Sequence, residues 1–341
     1  MENRKARAIL CSCENTMPVD LDRVAKACPG LEVGGARQLC RAELALFRAS
    51  AAEGELTVAC TQEQPLFAEV AEVEKLGAEL AFVNVRETAG WSTDAADAAP
   101  KMAALIAAAG EGAEPVPFVS LTSEGVTLIY GQDETAIQVA DALKEDLDLT
   151  VLLTGTADVA PPRTTEFPIR KGTIRTAKGY LGQFELVIDG YAEPAPSSRQ
   201  SLVFGPARNG AVSRADIVID LSGRPPLFSA PDLREGYLRA DPTNAAAVER
   251  LIRLAAGLVG TFDKPRYIKF TADLCAHSRS RITGCTRCLE LCPAGAIEPA
   301  GNHVAIDPYL CGGCGACSAA CPTGAAAYAL PSAERLIGKL R

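Results

Sequence analysis

The sequence predicts an α/β protein in three segments, and three observations carry that prediction. The first hundred residues alternate short apolar runs with helical patterns, the signature of repeated βα units around a parallel sheet. A second strand–helix–strand pattern occupies 126–154, and eight of the thirteen cysteines crowd between Cys275 and Cys321. Composition agrees with this class: 341 residues suffice for two or three domains, 48% of them apolar and only 5% aromatic. The segments run over 1–118, 119–262 and 263–341.

The repeat opens with Ala8-Ile9-Leu10 as a strand and a helix near Val19–Ala27, followed by Leu31-Glu32-Val33 and a helix near Arg37–Ala52. Leu56-Thr57-Val58-Ala59 then precedes a helix near Gln64–Leu76, and Leu80 to Val85 precedes one near Asp94–Ala109. In such a sheet, ligands sit beyond the carboxyl ends of the strands. Cys11 and Cys13 follow the first strand, Cys40 lies after the second and Cys60 ends the third, so four thiols dispersed in sequence converge on one sheet edge. Spacing alone leaves two readings open, a cluster or metal site and four small buried hydrophobes. Cys28, at a helix end before Pro29, reads as a packing residue.

In the middle segment Val126 to Tyr130 and Leu149 to Leu153 read as strands around a helix at Glu134–Leu143. Phe184 to Ile188, Ser201 to Phe204 and Asp216 to Asp220 read as further strands, with loops at Glu193–Ser198 and Gly223–Pro226. A helix over Leu251–Val259 leads through Asp263-Lys264-Pro265 into the last segment. No Ser/His/Asp triad, Walker loop or metal-hydrolase motif is present, and His277 and His303 are the only histidines.

The last segment spells two ligand runs, Cys275…Cys285-x2-Cys288-x3-Cys292-Pro293 and Cys311-x2-Cys314-x2-Cys317-x3-Cys321-Pro322. Two intervening residues let a tight loop wrap successive sulfurs around one corner of an iron–sulfur cubane, and the cysteine before proline reaches across to a second one. Gly312, Gly313 and Gly315 suit such a loop, while Pro293 and Pro322 fix the chain direction after the crossover. Zinc and a disulfide network are the competing readings. They explain the pattern less well, because a zinc site takes four ligands from two knuckles and has no use for the Cys-x3-Cys-Pro step.

On these residues, 267–330 resembles the two-[4Fe-4S] bacterial-type ferredoxin domain, an α+β fold. The resemblance implies that Cys275, Cys285, Cys288 and Cys321 hold one cluster, and that Cys311, Cys314, Cys317 and Cys292 hold the other. One departure is visible: Ala276 to Gly284 intervene between the first two cysteines, where the family has two residues. That insertion is expected to loop out over its cluster.

Cys11-Ser12-Cys13, Leu39-Cys40, Val58-Ala59-Cys60 through Pro65-Leu66-Phe67, and Asn84-Val85-Arg86-Glu87-Thr88-Ala89-Gly90-Trp91-Ser92 resemble the N-terminal domain of the heterodisulfide reductase A subunit family over roughly residues 5 to 110. The resemblance implies a third [4Fe-4S] cluster on Cys11, Cys13, Cys40 and Cys60. Where that family usually has a further cysteine before the tryptophan, this chain has Ala89. Three sets of four cysteines leave only Cys28. In the same family a flavin-binding Rossmann fold begins at the position of Val126. Here the turn Gly131-Gln132-Asp133-Glu134-Thr135-Ala136 lacks the second and third glycines, and its two carboxylates repel a pyrophosphate. The middle segment is therefore expected to be a degenerate Rossmann-like domain, and FAD is not expected.

No run of eighteen apolar residues exists, Met1 to Arg7 lead straight into a strand-like segment, and the odd cysteine count falls in metal-ligand spacings. These features predict a cytoplasmic protein with no membrane span. A net charge of −8 argues against a nucleic-acid partner. Lys264, Arg266, Lys269, Arg279 and Arg281 form a local basic cluster, which reads either as a dock for an acidic partner or as a solvated face. A basic helix over Ala333–Arg341 suits packing against another domain or subunit. His303 reads as structural. His277 either hydrogen-bonds near a cluster or is solvated.

With no flavin or nicotinamide site to split electron pairs, the expectation is an iron–sulfur protein that relays single electrons between a redox enzyme and a carrier or partner subunit. Such a chain is more an electron-transfer subunit of an oxidoreductase complex, of heterodisulfide-reductase or formate-dehydrogenase type, than a stand-alone enzyme. The alternatives are a maturation or assembly factor for a metalloenzyme such as a formate dehydrogenase, and a flavoenzyme with a noncanonical site.

Overall fold

Strand β1 (Arg7–Cys11) shows why the first sheet is covered on both sides. Ala8 and Leu10 point to one face, among Val24, Met102 and Ile106, while Ile9 points to the other, among Phe47, Val58 and Phe67. In the computed structural model, which describes all residues except 1–5, 53, 111–114, 116, 156–158, 163, 165, 280–281 and 341, contacts gather the chain into two compact units. One contains 1–115 with 331–341 and the other contains 116–330.

In the first unit β1 is followed by α1 (Leu21–Ala27), β2 (Glu32–Ala36), α2 (Leu44–Ser50), β3 (Glu55–Val58), α3 (Gln64–Val73), β4 (Glu79–Phe82) and α4 (Ala99–Gly110). The sheet order is β2-β1-β3-β4 and every pair is parallel, as a βα repeat requires. Asp20 caps α1 by accepting from the Arg23 amide. Phe47 of α2 and Phe67 of α3, both fully buried, meet at 4.7 Å between ring centroids. Truncating either to alanine costs about 3–5 kcal/mol. Helix α2 is shorter than the helix expected from Arg37 to Ala52. The Glu43 carboxylate accepts from the amides of Arg37 and Gln38, both at 2.6 Å, and so holds the stretch around Cys40 as a turn.

The second unit starts with β5 (Phe118–Ser123), β6 (Val126–Gly131), α5 (Glu134–Leu143), β7 (Asp148–Leu153), β8 (Ile169–Lys178), β9 (Phe184–Ala192), β10 (Ala211–Ala215), β11 (Ile217–Leu221), β12 (Tyr237–Arg239) and α6 (Ala245–Ala256). Its seven-stranded sheet has the order β10-β9-β8-β7-β6-β11-β12. The five strands from β8 to β12 across that sheet are parallel, and β9 and β10 extend it antiparallel. Strand order reverses at β6, the switch point of a doubly wound sheet. The strand expected at Ser201–Phe204 is absent; Phe204 makes only an isolated bridge to Pro194, because that stretch lies in a Pro/Ser-rich loop.

The chain continues as β13 (Gly260–Pro265), β14 (Ile268–Phe270), α7 (Arg287–Leu291), β15 (Ile297–Ala300), β16 (His303–Ile306), α8 (Ala316–Ala320) and β17 (Ala326–Tyr328). β13 pairs antiparallel with β5, β14 with β17, and β15 with β16. The molecule is thus α/β with parallel sheets, ending in a segment of short helices and two-stranded antiparallel pairs. Polar bonds join this segment, within one unit, to the stretch between β11 and β12: Ser229 donates to the Pro293 carbonyl at 2.8 Å, and Lys264 of β13 bonds both Glu235 and the Tyr309 carbonyl. The last helix, α9 (Ala333–Leu340), groups with the first unit, beside α4.

Candidate metal centres

Two short helices carry the C-terminal cysteines, and proline decides where each one ends. α7 contains Cys288 and stops at Cys292, and α8 contains Cys317 and stops at Cys321. Both terminal cysteines have extended backbones, at φ −74°, ψ 105° and φ −71°, ψ 112°, because a following proline excludes the helical conformation. The consequence is a change of side. Cys321 lines one cavity with Cys275, Cys285 and Cys288, while Cys292 lines a second with Cys311, Cys314 and Cys317.

Apart from the sulfurs, the walls are almost wholly apolar, with Phe270, Val304 and Ala326 around the first cavity and Ile268, Ile297 and Ile306 around the second. All of these cysteines are free thiols. Among the described residues no three His, Cys, Asp or Glu side chains close on a single point as one metal ion requires. The thiols surround a space instead, and four soft sulfur donors around a dry void fit a polynuclear iron–sulfur group. The Ala296 amide already donates to Cys292 Sγ at 3.3 Å. Gly313, at φ 72°, cannot be replaced without strain, since a Cβ there would lie 2.8 Å from the Tyr267 ring.

Electrostatics differ between the thiols. Burial pushes Cys317 up to about 11 and raises Cys288. Burial also raises Cys311, against the Gly313 amide and the nearby Lys264 cation. At Cys321 burial acts upward but is outweighed by the amides of Ala326, Thr323 and Ala325 and by the Thr323 hydroxyl, so this thiol titrates below its ordinary value. Ligation must therefore expel protons from most of these groups.

Lys264 does not belong to a docking face. It is 4% exposed and ion-paired to Glu235 at 2.5 Å, whereas Arg266, Lys269 and Arg279 are exposed and Arg281 lies outside the described residues. His277 is buried, not solvated, and its Nδ1 meets the Cys285 carbonyl at 2.9 Å, tying the start of the insertion to the residue that follows it. His303 bonds the Val304 carbonyl and leans on Phe270, a structural role. Arg234 is a residue that no sequence signal marks. Its Nη1 donates to the Gly179 carbonyl and its Nη2 to the Ala294 carbonyl at 2.7 Å, with the guanidinium 4.6 Å over the Phe228 ring.

In the first unit Cys11, Cys13, Cys40 and Cys60 line a further cavity with Met17, Phe67 and Arg86. Cys11 closes β1 and Cys60 follows β3, so both stand at the carboxyl edge of the sheet. The loop between β1 and α1 is strained: Cys13, Glu14 and Asn15 have consecutive φ values of 51°, 58° and 62°. That turn folds the Cys13 amide back onto Cys11 Sγ at 3.4 Å, and the Leu39 amide approaches the same sulfur at 3.5 Å. Arg86 donates to Cys13 Sγ at 3.5 Å while bonding Glu87 and lying 4.5 Å over Trp91. The Glu87 bond, then the Cys13 bond, hold the Arg86 guanidinium above its ordinary value. Ala89 is buried in the core beside Val85 and Met102. Cys28 packs in that same core, with its thiol against the Ala103 carbonyl.

The 4Fe-4S dicluster domain family matches residues 281–325. An uncharacterized ferredoxin of Methanocaldococcus jannaschii is 39% identical over 57 residues, which is 17% of this chain and 31% of that protein's own length. Among the described residues no helix is long and apolar enough to cross a membrane.

Proposed function

We propose that this protein is an iron–sulfur electron-transfer protein that relays single electrons between a redox enzyme and a carrier or partner subunit of an oxidoreductase complex. The observation that carries the proposal is the exchange of Cys292 and Cys321, each lining the cavity of the other run. Cys275, Cys285, Cys288 and Cys321 would hold one [4Fe-4S] cluster, and Cys292, Cys311, Cys314 and Cys317 the other. Bound there, such groups supply one-electron storage at low potential. The chain's own part is to hold the sulfurs, exclude water with apolar walls and donate amides to the thiolates. Cys314 is exposed, which gives the second site an edge open to a partner.

Cys11, Cys13, Cys40 and Cys60 would hold a third [4Fe-4S] cluster, as the likeness to the heterodisulfide reductase A subunit family suggests. Their shared cavity, the strained loop and the Arg86 donor support this reading. FAD has no part in it. At the carboxyl ends of β6 and β7 the Gln132 main chain packs on Gly155, and Arg224 bonds Thr154 at 2.9 Å together with Tyr130 and Thr173. This packing supports the expectation that no dinucleotide is held there. We read the chain as three sequence modules, 1–118, 119–262 and 263–341, acting in the cytoplasm without nucleic acid.

Anaerobic preparation with iron and acid-labile sulfide counts tests the proposal. About twelve irons per chain match three cubanes, and about eight would remove the N-terminal one. Zinc in place of iron would overturn the reading. Transfer of intact clusters to an apo-enzyme, without electron exchange, would favour an assembly factor instead.

A further inference from the structure

We propose that Arg234 is a positioning cation for the group held by Cys292, Cys311, Cys314 and Cys317, making that group easier to reduce than its neighbour. This deepens the electron-transfer reading and rests on both cavities holding [4Fe-4S] clusters.

Arg234 lies outside the cysteine-rich segment, just after the turn at Pro231–Leu233 that precedes β12. Its Nη2 bond reaches Ala294, a residue of the second cavity's wall two positions after Cys292. The Nε is sealed from solvent and has no hydrogen-bond partner. Among the described residues no carboxylate lies within ion-pairing distance of the guanidinium. The negative groups acting on this half-buried cation are Glu235, which is already ion-paired to Lys264, then Cys292 and Asp307, so further negative charge beside Cys292 is favoured. A cluster on four thiolates supplies that charge, and the cation in turn favours its more negative, reduced form.

The other cations near these cavities are weaker candidates. Arg287 lines the first cavity and Arg279 bonds the Cys275 carbonyl at 3.2 Å, but both are exposed, so water and salt screen them. Lys264 shares its charge with Glu235. The buried cations thus both lie on the side of the second cavity, Lys264 near Cys311 and already paired with Glu235, and Arg234 near Cys292, so an added electron settles preferentially there and Arg234 is the cation with no ion pair of its own.

The test is an anaerobic dithionite titration of the full chain followed by EPR, in the wild type and in R234Q, R234K and S229A. Ser229→Ala removes a bond to the same loop without touching charge. In R234Q one C-terminal transition moves to lower potential, so that the reduced fraction at a fixed potential falls about tenfold, or about 59 mV for one electron. The other transition stays, R234K keeps the wild-type position within about threefold, and S229A does not move. A salt series on the unaltered protein needs no variant: the gap between the two transitions persists to about 1 M salt, because the guanidinium is half-buried with its Nε sealed. An unmoved midpoint in iron-replete R234Q, equal shifts in all three variants, or a gap that closes in salt would overturn the role of Arg234 while leaving the clusters in place. A wild type without iron would instead sink the reading on which it rests.

Discussion

Cys321 and Cys285 line the same cavity although they belong to different cysteine runs. The reverse exchange puts Cys292 beside Cys311. Each cavity is thereby tied to both helices, and neither half can form its site alone.

Replacing Cys321 by serine should empty the first cavity of its cluster rather than the second. Iron and sulfide counts are expected to fall by about four per chain, with one C-terminal EPR signal retained. Loss of both C-terminal signals would show that the two sites assemble only together.

Gly313→Ala puts a methyl group against Tyr267 at a left-handed position. The expected cost is about 1–3 kcal/mol, read as a lower urea midpoint, together with reduced iron in the second site. A smaller residue at 267 in the same background should recover part of it.

Arg86→Met removes the donor to Cys13 and the cation over Trp91. The N-terminal site should lose iron or become labile, while the roughly eight C-terminal irons stay. An unchanged count of about twelve would dissociate Arg86 from that site.

Tyr237 gives a pH prediction away from the cysteines. Burial, and then its bond to the buried Asp220, hold the phenol well above its ordinary value of 10.0. The folded state thus keeps a proton that the unfolded state loses, so this contribution is complete below about pH 10 and fades as pH rises beyond it. Tyr237→Phe should lower stability by about 1–3 kcal/mol at neutral pH, because Asp220 loses a donor. The gap between variant and wild type should narrow above about pH 10 in urea titrations.

Legibility from sequence followed the range of the interactions. The Cys-x3-Cys-Pro steps are local: proline forces the preceding cysteine out of the helix, and the two cysteines concerned are the ones that change sides. The βα alternation was equally local, since Ala8, Ile9 and Leu10 already announce a sheet covered twice. β8 left no such mark, because its Arg, Lys and Thr residues hide a pattern in which only Ile169, Gly172 and Ile174 are buried. β5 and β13 pair across the whole middle of the chain, so neither is readable from its neighbours. Arg234 carried no signal and Lys264 read as one of a surface basic cluster for the same reason: their partners, Ala294 and Tyr309, lie far along the sequence.

The most direct measurement of the central claim is combined iron, zinc and acid-labile sulfide analysis of anaerobically prepared chain, with EPR after one-electron reduction. The account predicts about twelve irons and twelve sulfides, and cubane signals of which two interact. Colourless protein, or zinc at these thiols, would contradict it.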